Sequence, residues 1–160
     1  MKKNTLIAIS LTTLAIITSL IPILISILTL YGWNVGNLRL LLFQPGLLIM
    51  PINAAIIFIV YGIASILLFA GFTKIPRLVG ALVFLFGLGI LVQVWTGVDL
   101  NINQPLYEPR ATSELVKMTR VPVGGAISFC LAGLALFLMT LYRKLKHPLL
   151  VIAILSALII

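Results

Sequence analysis

The sequence predicts an all-α integral membrane protein, a polytopic bundle of four complete transmembrane helices followed by a truncated fifth. Composition is the first observation, because 62% of the 160 residues are hydrophobic and only 9% are charged, whereas soluble domains carry about 25% charged residues. The second is a succession of five apolar segments, at 5–31, 47–71, 78–96, 122–142 and 148–160. The third is a motif, Pro-x-x-x-Ala-Ile-x-Phe-x-x-x-Gly-x-Ala, that occurs twice.

The first four apolar segments are long enough to cross a bilayer, which takes about 17–25 helical residues. Segment 5–31 is over-long and contains Pro22, whose ring removes one helical hydrogen bond, so a kink or tilt is expected there. The same segment is longer than the apolar core of a secretory signal, about 7–15 residues, which favours an uncleaved first span. Segment 148–160 is too short to cross, so we expect a fragment that stops inside its fifth span.

The basic residues predict the orientation of the spans in a bacterial cytoplasmic membrane. Alternate ends of the spans contain no acid and seven of the eleven Lys and Arg residues: Lys2, Lys3, Lys74, Arg77, Arg143, Lys144 and Lys146. Cytoplasmic loops carry such an excess of positive charge. The amino terminus is therefore predicted to be cytoplasmic, with loops 32–50 and 97–121 extracytoplasmic. Tyr31, Trp33 and Trp95 are expected in the outer interfacial layer, where amphipathic rings accumulate.

The repeated motif predicts a helix-packing stripe within a duplicated unit. Its two copies are Pro51, Ala55, Phe58, Gly62 and Pro122, Ala126, Phe129, Gly133. Spacings of four and three residues place each set on one helix face, and small residues there allow close approach of another helix in lipid. A ligand crevice between the copies is the alternative. The whole chain is predicted to be a single membrane domain, residues 1–160, with parallel repeats at about 5–71 and 78–143 and the start of a third unit at about 147–160.

The sequence contains no recognisable catalytic, metal or cofactor constellation, so no enzymatic activity and no cofactor are predicted. Its single histidine, His147, and single cysteine, Cys130, are 17 residues apart and are predicted in different environments, a basic linker and an apolar span. The spans contain no Asp, Glu, Lys, Arg or His at mid-depth, which disfavours an ion-coupled carrier. The net charge of +8 does not indicate nucleic acid, because the basic residues lie at span ends without interleaved aromatics; the lipid bilayer is the expected partner.

Loop 97–121 is the candidate sensing loop. Val98, Leu100 and Ile102 alternate with polar residues, which predicts a short extended segment lying on the bundle. Polar residues of this loop could bind a small ligand, and the alternative is that they only solvate it. The candidates are Asp99, Asn101, Asn103, Gln104, Tyr107, Glu108 and Arg110.

The residues from Gly97 to Gln104, then Thr119-Arg120-Val121-Pro122 and the apolar run 126–136, resemble the amino-terminal membrane region of bacterial sensor proteins. In that family a G-x-D-L-x-I-[DN] loop leads into G-R-M-x-P-N-T-A-L-x-F-L-L-x-G-L-A-L. Such regions precede PAS, histidine-kinase or diguanylate-cyclase (GGDEF) output domains. This sequence has Val123, Gly124 and Gly125 after its proline, so the family's asparagine contact is expected only in the first copy, at Asn53.

The resemblance implies a membrane-embedded input and anchoring module of a signalling protein, without catalytic activity of its own. It also implies partners, either carboxyl-terminal signalling domains beyond this chain or further copies of the chain. The alternative is a self-contained small membrane protein, such as a structural subunit or a carrier component. The ligand or stimulus is not indicated by the residues.

Overall fold

The computed structural model describes residues 2–37, 49–102 and 120–142, and within these ranges every regular element is a helix. The helices are α1 (Lys2–Val35), α2 (Ile52–Phe69), α3 (Lys74–Thr96) and α4 (Val123–Tyr142). Each contains a stretch of at least 18 residues that is long and apolar enough to cross a membrane, Ile16–Val35 in the case of α1. The prediction of an all-helical, multi-span membrane protein is confirmed for this part of the chain. The predicted fifth span, 148–160, lies outside the described residues.

Two helix boundaries differ from those expected. Helix α1 continues without interruption through Pro22 and reaches Val35, beyond the predicted end of the span. Helix α3 begins at Lys74, so most of the stretch that links the predicted segments 47–71 and 78–96 is helical. Pro76 does not prevent this, because it lies in the first turn, where a backbone N–H would have no helical partner anyway.

Helices that follow one another in sequence pack against one another, most extensively α3 against α4. The α3–α4 contact is between backbones. A Cβ atom added at Gly133 would lie 2.4 Å from the backbone nitrogen of Phe84, and one at Gly87 would lie 2.7 Å from the carbonyl oxygen of Ala126. Only glycine permits so close an approach, which is the usual way in which helices gain packing contact in lipid.

The interior of the bundle is aromatic and aliphatic, and its exterior is apolar as well. The ring of Phe129 packs against Phe58 of α2 at a centroid distance of 5.4 Å and against Phe86 of α3 at 5.8 Å, edge to face. Leu82 and Leu85 of α3 point outward and are exposed. An exposed apolar surface on each helix is expected of a bundle whose solvent is hydrocarbon.

Candidate functional site

Two buried amide side chains lie at one end of the bundle, which we call the Gly97 end. Helices α1 and α3 end there, and α2 and α4 begin there. Segment 97–102, which follows the last residue of α3, lies at the same end. The opposite end, where α3 begins and α4 ends, is called the Lys74 end. Asn53 and Gln93 are only 6% and 8% exposed at the Gly97 end. A buried amide in an apolar bundle must be hydrogen-bonded to be tolerated, so their partners matter.

Asp99 organises the segment that follows α3. The helix stops at Gly97, which adopts the left-handed conformation (φ 69°) and donates its N–H to the carbonyl of Gln93. One carboxylate oxygen of Asp99, Oδ1, then accepts hydrogen bonds from Gln93 Nε2 at 3.0 Å and from the backbone N–H of Asn101 at 2.9 Å. The second bond closes an Asx turn. Asn101 itself has a φ of 55°, a conformation that asparagine tolerates better than most residues.

The predicted extended segment at 98–102 is therefore wrong, since the chain turns at this point. Val98 and Leu100 are exposed, and Ile102 packs against the hydrophobic core. The alternation of apolar and polar residues suggested an extended strand, but the carboxylate of Asp99 offers the backbone a local hydrogen bond that competes with an extended conformation.

Segment 97–102 contacts both α2 and α3. Asn53 Nδ2, in the first turn of α2, donates to the carbonyl oxygen of Ile102 at 2.9 Å. The side chain of Ile102 lies against α3, with its Cδ1 atom 2.7 Å from where a Cβ of Gly89 would be. Asn53 is the asparagine that the resemblance singled out. Its partner, 49 residues away, could not be found from sequence spacing.

Gln93 has one hydrogen-bond requirement that is unmet in the structure. A carboxylate can only accept, so it is the amide nitrogen of Gln93, and not the amide oxygen, that contacts Asp99 Oδ1. That oxygen, Oε1, is buried and has no hydrogen-bond partner in the described part of the protein. Gln93 was not among the site residues predicted from the sequence. The sequence feature that could have identified it is a polar amide in the last turns of an otherwise apolar helix.

Trp33, predicted to lie in the outer interfacial layer, does not present its ring at the surface of the bundle. Its side chain is fully buried, and its indole Nε1 donates to the carbonyl oxygen of Met50 at 3.0 Å. The contact ties the end of α1 to the residues that lead into α2. Trp95, by contrast, is 91% exposed. An aromatic residue at a helix end can either pack inside the protein or lie exposed at its surface, and composition alone does not distinguish these two environments.

The residues of the repeated motif lie in two different contacts. In α2, Ala55 and Gly62 are buried, and a Cβ at Gly62 would lie 2.5 Å from the side chain of Ile23 in α1. In α4, the buried motif residues, Ala126, Phe129 and Gly133, include the glycine that contacts the backbone of α3. Both prolines, Pro51 and Pro122, precede their helices and accept the first helical hydrogen bond, at 3.0 Å, from the alanine four residues on.

The Lys74 end contains one polar contact between helices. Arg77 Nε donates to the hydroxyl of Thr140 at 3.2 Å, and that hydroxyl donates to the carbonyl of Phe137 at 2.7 Å. Thr140 is fully buried, and so is the Nη2 nitrogen of Arg77, which has no partner among the described residues. Cys130, predicted to lie in an apolar span, is half-buried, with Sγ 3.8 Å from the carbonyl oxygen of Phe84.

Of the seven candidate loop residues, Asp99 and Asn101 are brought together in the Asx turn. Asn103, Gln104, Tyr107, Glu108 and Arg110 lie outside the described residues. Within the described ranges there is no group of three or more His, Cys, Asp or Glu residues that could hold a metal ion. At the Gly97 end, one short segment, 97–102, is hydrogen-bonded to two of the apolar helices, α2 and α3. No known protein family, curated protein or solved structure matches the chain.

Proposed function

We propose that this chain is the membrane-embedded input and anchoring module of a bacterial signalling protein and that it catalyses no reaction itself. The observation that carries the proposal is the hydrogen bond from Asn53 to Ile102, which fastens segment 97–102 to α2. The same segment is fastened to α3 through Asp99 and Gln93. A stimulus that shifts this segment therefore acts on both helices at once, and the resemblance to sensor membrane regions involves this very segment.

The helices themselves carry the change to the other face of the membrane. Helix α2 has 18 residues, which span about 27 Å at about 1.5 Å per residue. A tilt or shift at its Gly97 end is thus transmitted to its last residues near the Lys74 end. Such a response requires two arrangements of the bundle and a stimulus that binds one of them better. The hydrogen bonds of the segment, from Asn53 to Ile102 and from Gln93 to Asp99, are few. A stimulus that replaced one of them with a bond of its own would change how the segment is held.

In this proposal the Lys74 end faces the cytoplasm of a bacterial inner membrane, and loops 32–50 and 97–121 lie outside the cell. A third span–loop–span unit would begin near residue 147. Signalling domains or further copies of the chain would respond to the shift in helix position. The distribution of Lys and Arg residues supports the orientation.

Single cysteines at Thr112 and Lys74, introduced into a Cys130→Ser background, test that orientation. On intact cells a membrane-impermeant thiol reagent should label the cysteine at Thr112 and not the one at Lys74, because only the former is extracytoplasmic. Both should be labelled after the cells are opened, which controls for reactivity. Equal labelling on intact cells would contradict the proposed orientation.

The coding sequence beyond Ile160 tests the function. An in-frame PAS, histidine-kinase or GGDEF segment is the expected result. A stop codon directly after Ile160, with a stable product of this length in membranes, would favour the self-contained membrane protein instead. In the signalling protein, Asn53→Ala should change the output activity, because it frees the segment from α2. Ser128→Ala is the matched control, since its exposed hydroxyl donates to the carbonyl of Gly124 in its own helix and has no other partner among the described residues. The same output from both variants would contradict the proposed route.

A further inference from the structure

The strongest unexplained feature of the Gly97 end is an unmet hydrogen-bond acceptor beside a carboxylate. Gln93 is 8% exposed, and its Oε1 atom is buried without a partner in the described part of the chain. The other end of the same amide is bonded to Asp99 Oδ1, so by covalent geometry Oε1 lies within a few ångströms of the carboxylate. A buried acceptor of this kind costs stability unless a donor reaches it.

The electrostatics of this corner also favour a positively charged donor. The carboxyl-terminal end of a helix carries a partial negative charge, equivalent to about −0.5 of an elementary charge. Helix α3 has no basic residue in its last turn, and Asp99 adds a full negative charge three residues after the helix ends. No described residue forms a salt bridge with Asp99, whose contacts are those with Gln93 and Asn101. Among the described residues, the carboxylate, the amide oxygen and the helix end therefore all lack a cationic counterpart.

We propose that Gln93 and Asp99 form a binding site for a small protonated amine. An ammonium group brings one positive charge and three hydrogen-bond donors. It would donate to Gln93 Oε1 and to Asp99 Oδ2, the carboxylate oxygen that the Asx turn does not use. This inference rests on the proposed input role and names the ligand class for it. A metal cation and a water molecule are the competing occupants, and the measurements below separate them.

Binding at this site is coupled to the position of segment 97–102. Gly89 and Gln93 are four residues apart and share one face of α3, and the side chain of Ile102 lies on that face against Gly89. Because Oε1 is buried, an amine reaches it only if the side chain of Ile102 moves, while Asp99 stays in its turn. The displacement strains the bond between Asn53 and the carbonyl of Ile102. By linkage, a variant that lacks this bond should bind the amine more tightly.

The probe is ethylammonium, titrated into the full chain in nanodiscs of zwitterionic lipid at constant ionic strength. Calorimetry gives the affinity, and the fluorescence of Trp95, two residues from Gln93, reports the location. Saturable binding in the millimolar range is expected for so small a probe. Tetramethylammonium has the same charge but no N–H donor, so it should bind at least about 10-fold more weakly, the loss of roughly one charge-assisted hydrogen bond. Equal binding of tetramethylammonium, sodium or calcium, or no saturable binding, would overturn the proposal.

Two substitutions assign the site to these residues. Asp99→Asn keeps the Oδ1 acceptor and hence the turn, but it removes the charge, and it should weaken ethylammonium binding at least about 10-fold. Glu114→Gln, the control, removes the same charge from the same loop and should leave the affinity unchanged. Equal weakening by both would indicate general attraction of cations and would refute the site. Asn53→Ala should bind more tightly than the wild type, and weaker binding would refute the coupling.

The two proposals can fail separately. If ethylammonium does not bind but Asn53→Ala still changes the output of the signalling protein, the amine site is wrong and the input role is retained. If the amine binds and no output changes, the site is retained and the input role is wrong.

Discussion

The backbone contact between α3 and α4 at Gly133 can be tested with a single methyl group. In Gly133→Ala the new Cβ would lie 2.4 Å from Phe84 N, 2.7 Å from Gly80 O and 2.9 Å from Phe84 Cα. All three atoms belong to the backbone of α3, so no side-chain rotation relieves the overlap. Ordinary van der Waals contact begins at 3.4 Å, and the helices must therefore separate by about 1 Å at this level.

The energetic consequence is larger than that of the methyl group itself. Overpacking of this kind costs about 1–3 kcal/mol, and a gap of about 0.5–1 Å loses about a quarter to a half of the dispersion attraction across the opened contact. Alanine returns up to about 1 kcal/mol through its higher helix propensity. We therefore expect Gly133→Ala to lower the free energy of unfolding by about 2 kcal/mol, mostly through the lost helix contact.

Reversible unfolding of the full chain, followed by circular dichroism in mixed micelles with increasing SDS, measures this difference. The control is Gly124→Ala in the same helix, because a Cβ there would meet no atom within 4 Å. The control should be neutral or more stable by up to about 1 kcal/mol. Equal stability of the two variants would show that α3 and α4 are not in backbone contact at Gly133.

Three further substitutions test individual contacts by the same unfolding measurement. Gly62→Ala should cost less than Gly133→Ala, because the two atoms closest to its new Cβ belong to the side chain of Ile23 and the nearest backbone atom, Ser19 O, is 3.1 Å away. An equal loss would contradict this. Trp33→Phe removes the buried indole donor and should lower the free energy of unfolding by about 1–3 kcal/mol, because it leaves a carbonyl unpaired. Trp95→Phe, at an exposed site, should not change the stability. Similar losses of stability in both variants would show that the indole hydrogen bond of Trp33 is not the cause. Thr140→Val should be destabilising by about 1–3 kcal/mol because it removes the acceptor of a guanidinium hydrogen bond, and Thr140→Ser should retain most of that stability; equal losses would remove the hydrogen bond as the cause.

The helices could be predicted from the sequence because hydrocarbon imposes a single strong requirement. Every backbone group inside it must be bonded within its own segment, so a sufficiently long apolar run is a helix. The boundaries were less accurate for a local reason. Pro76 was taken as part of a linker, yet a proline in a first helical turn loses no hydrogen bond, and α3 begins two residues before it.

The polar contacts of the Gly97 end could not be predicted from the sequence in the same way. Asn53 and Ile102 are far apart in the chain, and only packing of α2 beside α3 brings them together. The alternation at 98–102 favoured an extended segment, and a single carboxylate, that of Asp99, was sufficient to reverse it. Sequence periodicity records which faces are apolar. It does not record which individual side-chain donor finds which carbonyl.

The two copies of the packing motif face neighbours of different stiffness, and this difference predicts where the bundle can move. The two closest contacts of Gly62 are with a side chain of α1, and its backbone contact, Ser19 O, is at 3.1 Å, whereas Gly133 meets the backbone of α3 at 2.4 Å. Helices α3 and α4 are also joined at the Lys74 end through Thr140. We therefore expect α3 and α4 to move as one body, and a change in segment 97–102 to displace α2 relative to them.

Spin labels at exposed sites on three helices test this expectation. In Asn53→Ala, the distance between labels at Ile63 in α2 and Leu78 in α3 should shift or broaden relative to the same pair in the unsubstituted background. The distance between labels at Leu78 and Met139 in α4 should stay the same, because separating those helices would break backbone contacts that have no alternative packing. A larger change between α3 and α4 than between α2 and α3 would show that the glycine contact is a hinge, and transmission would then have to run through α4.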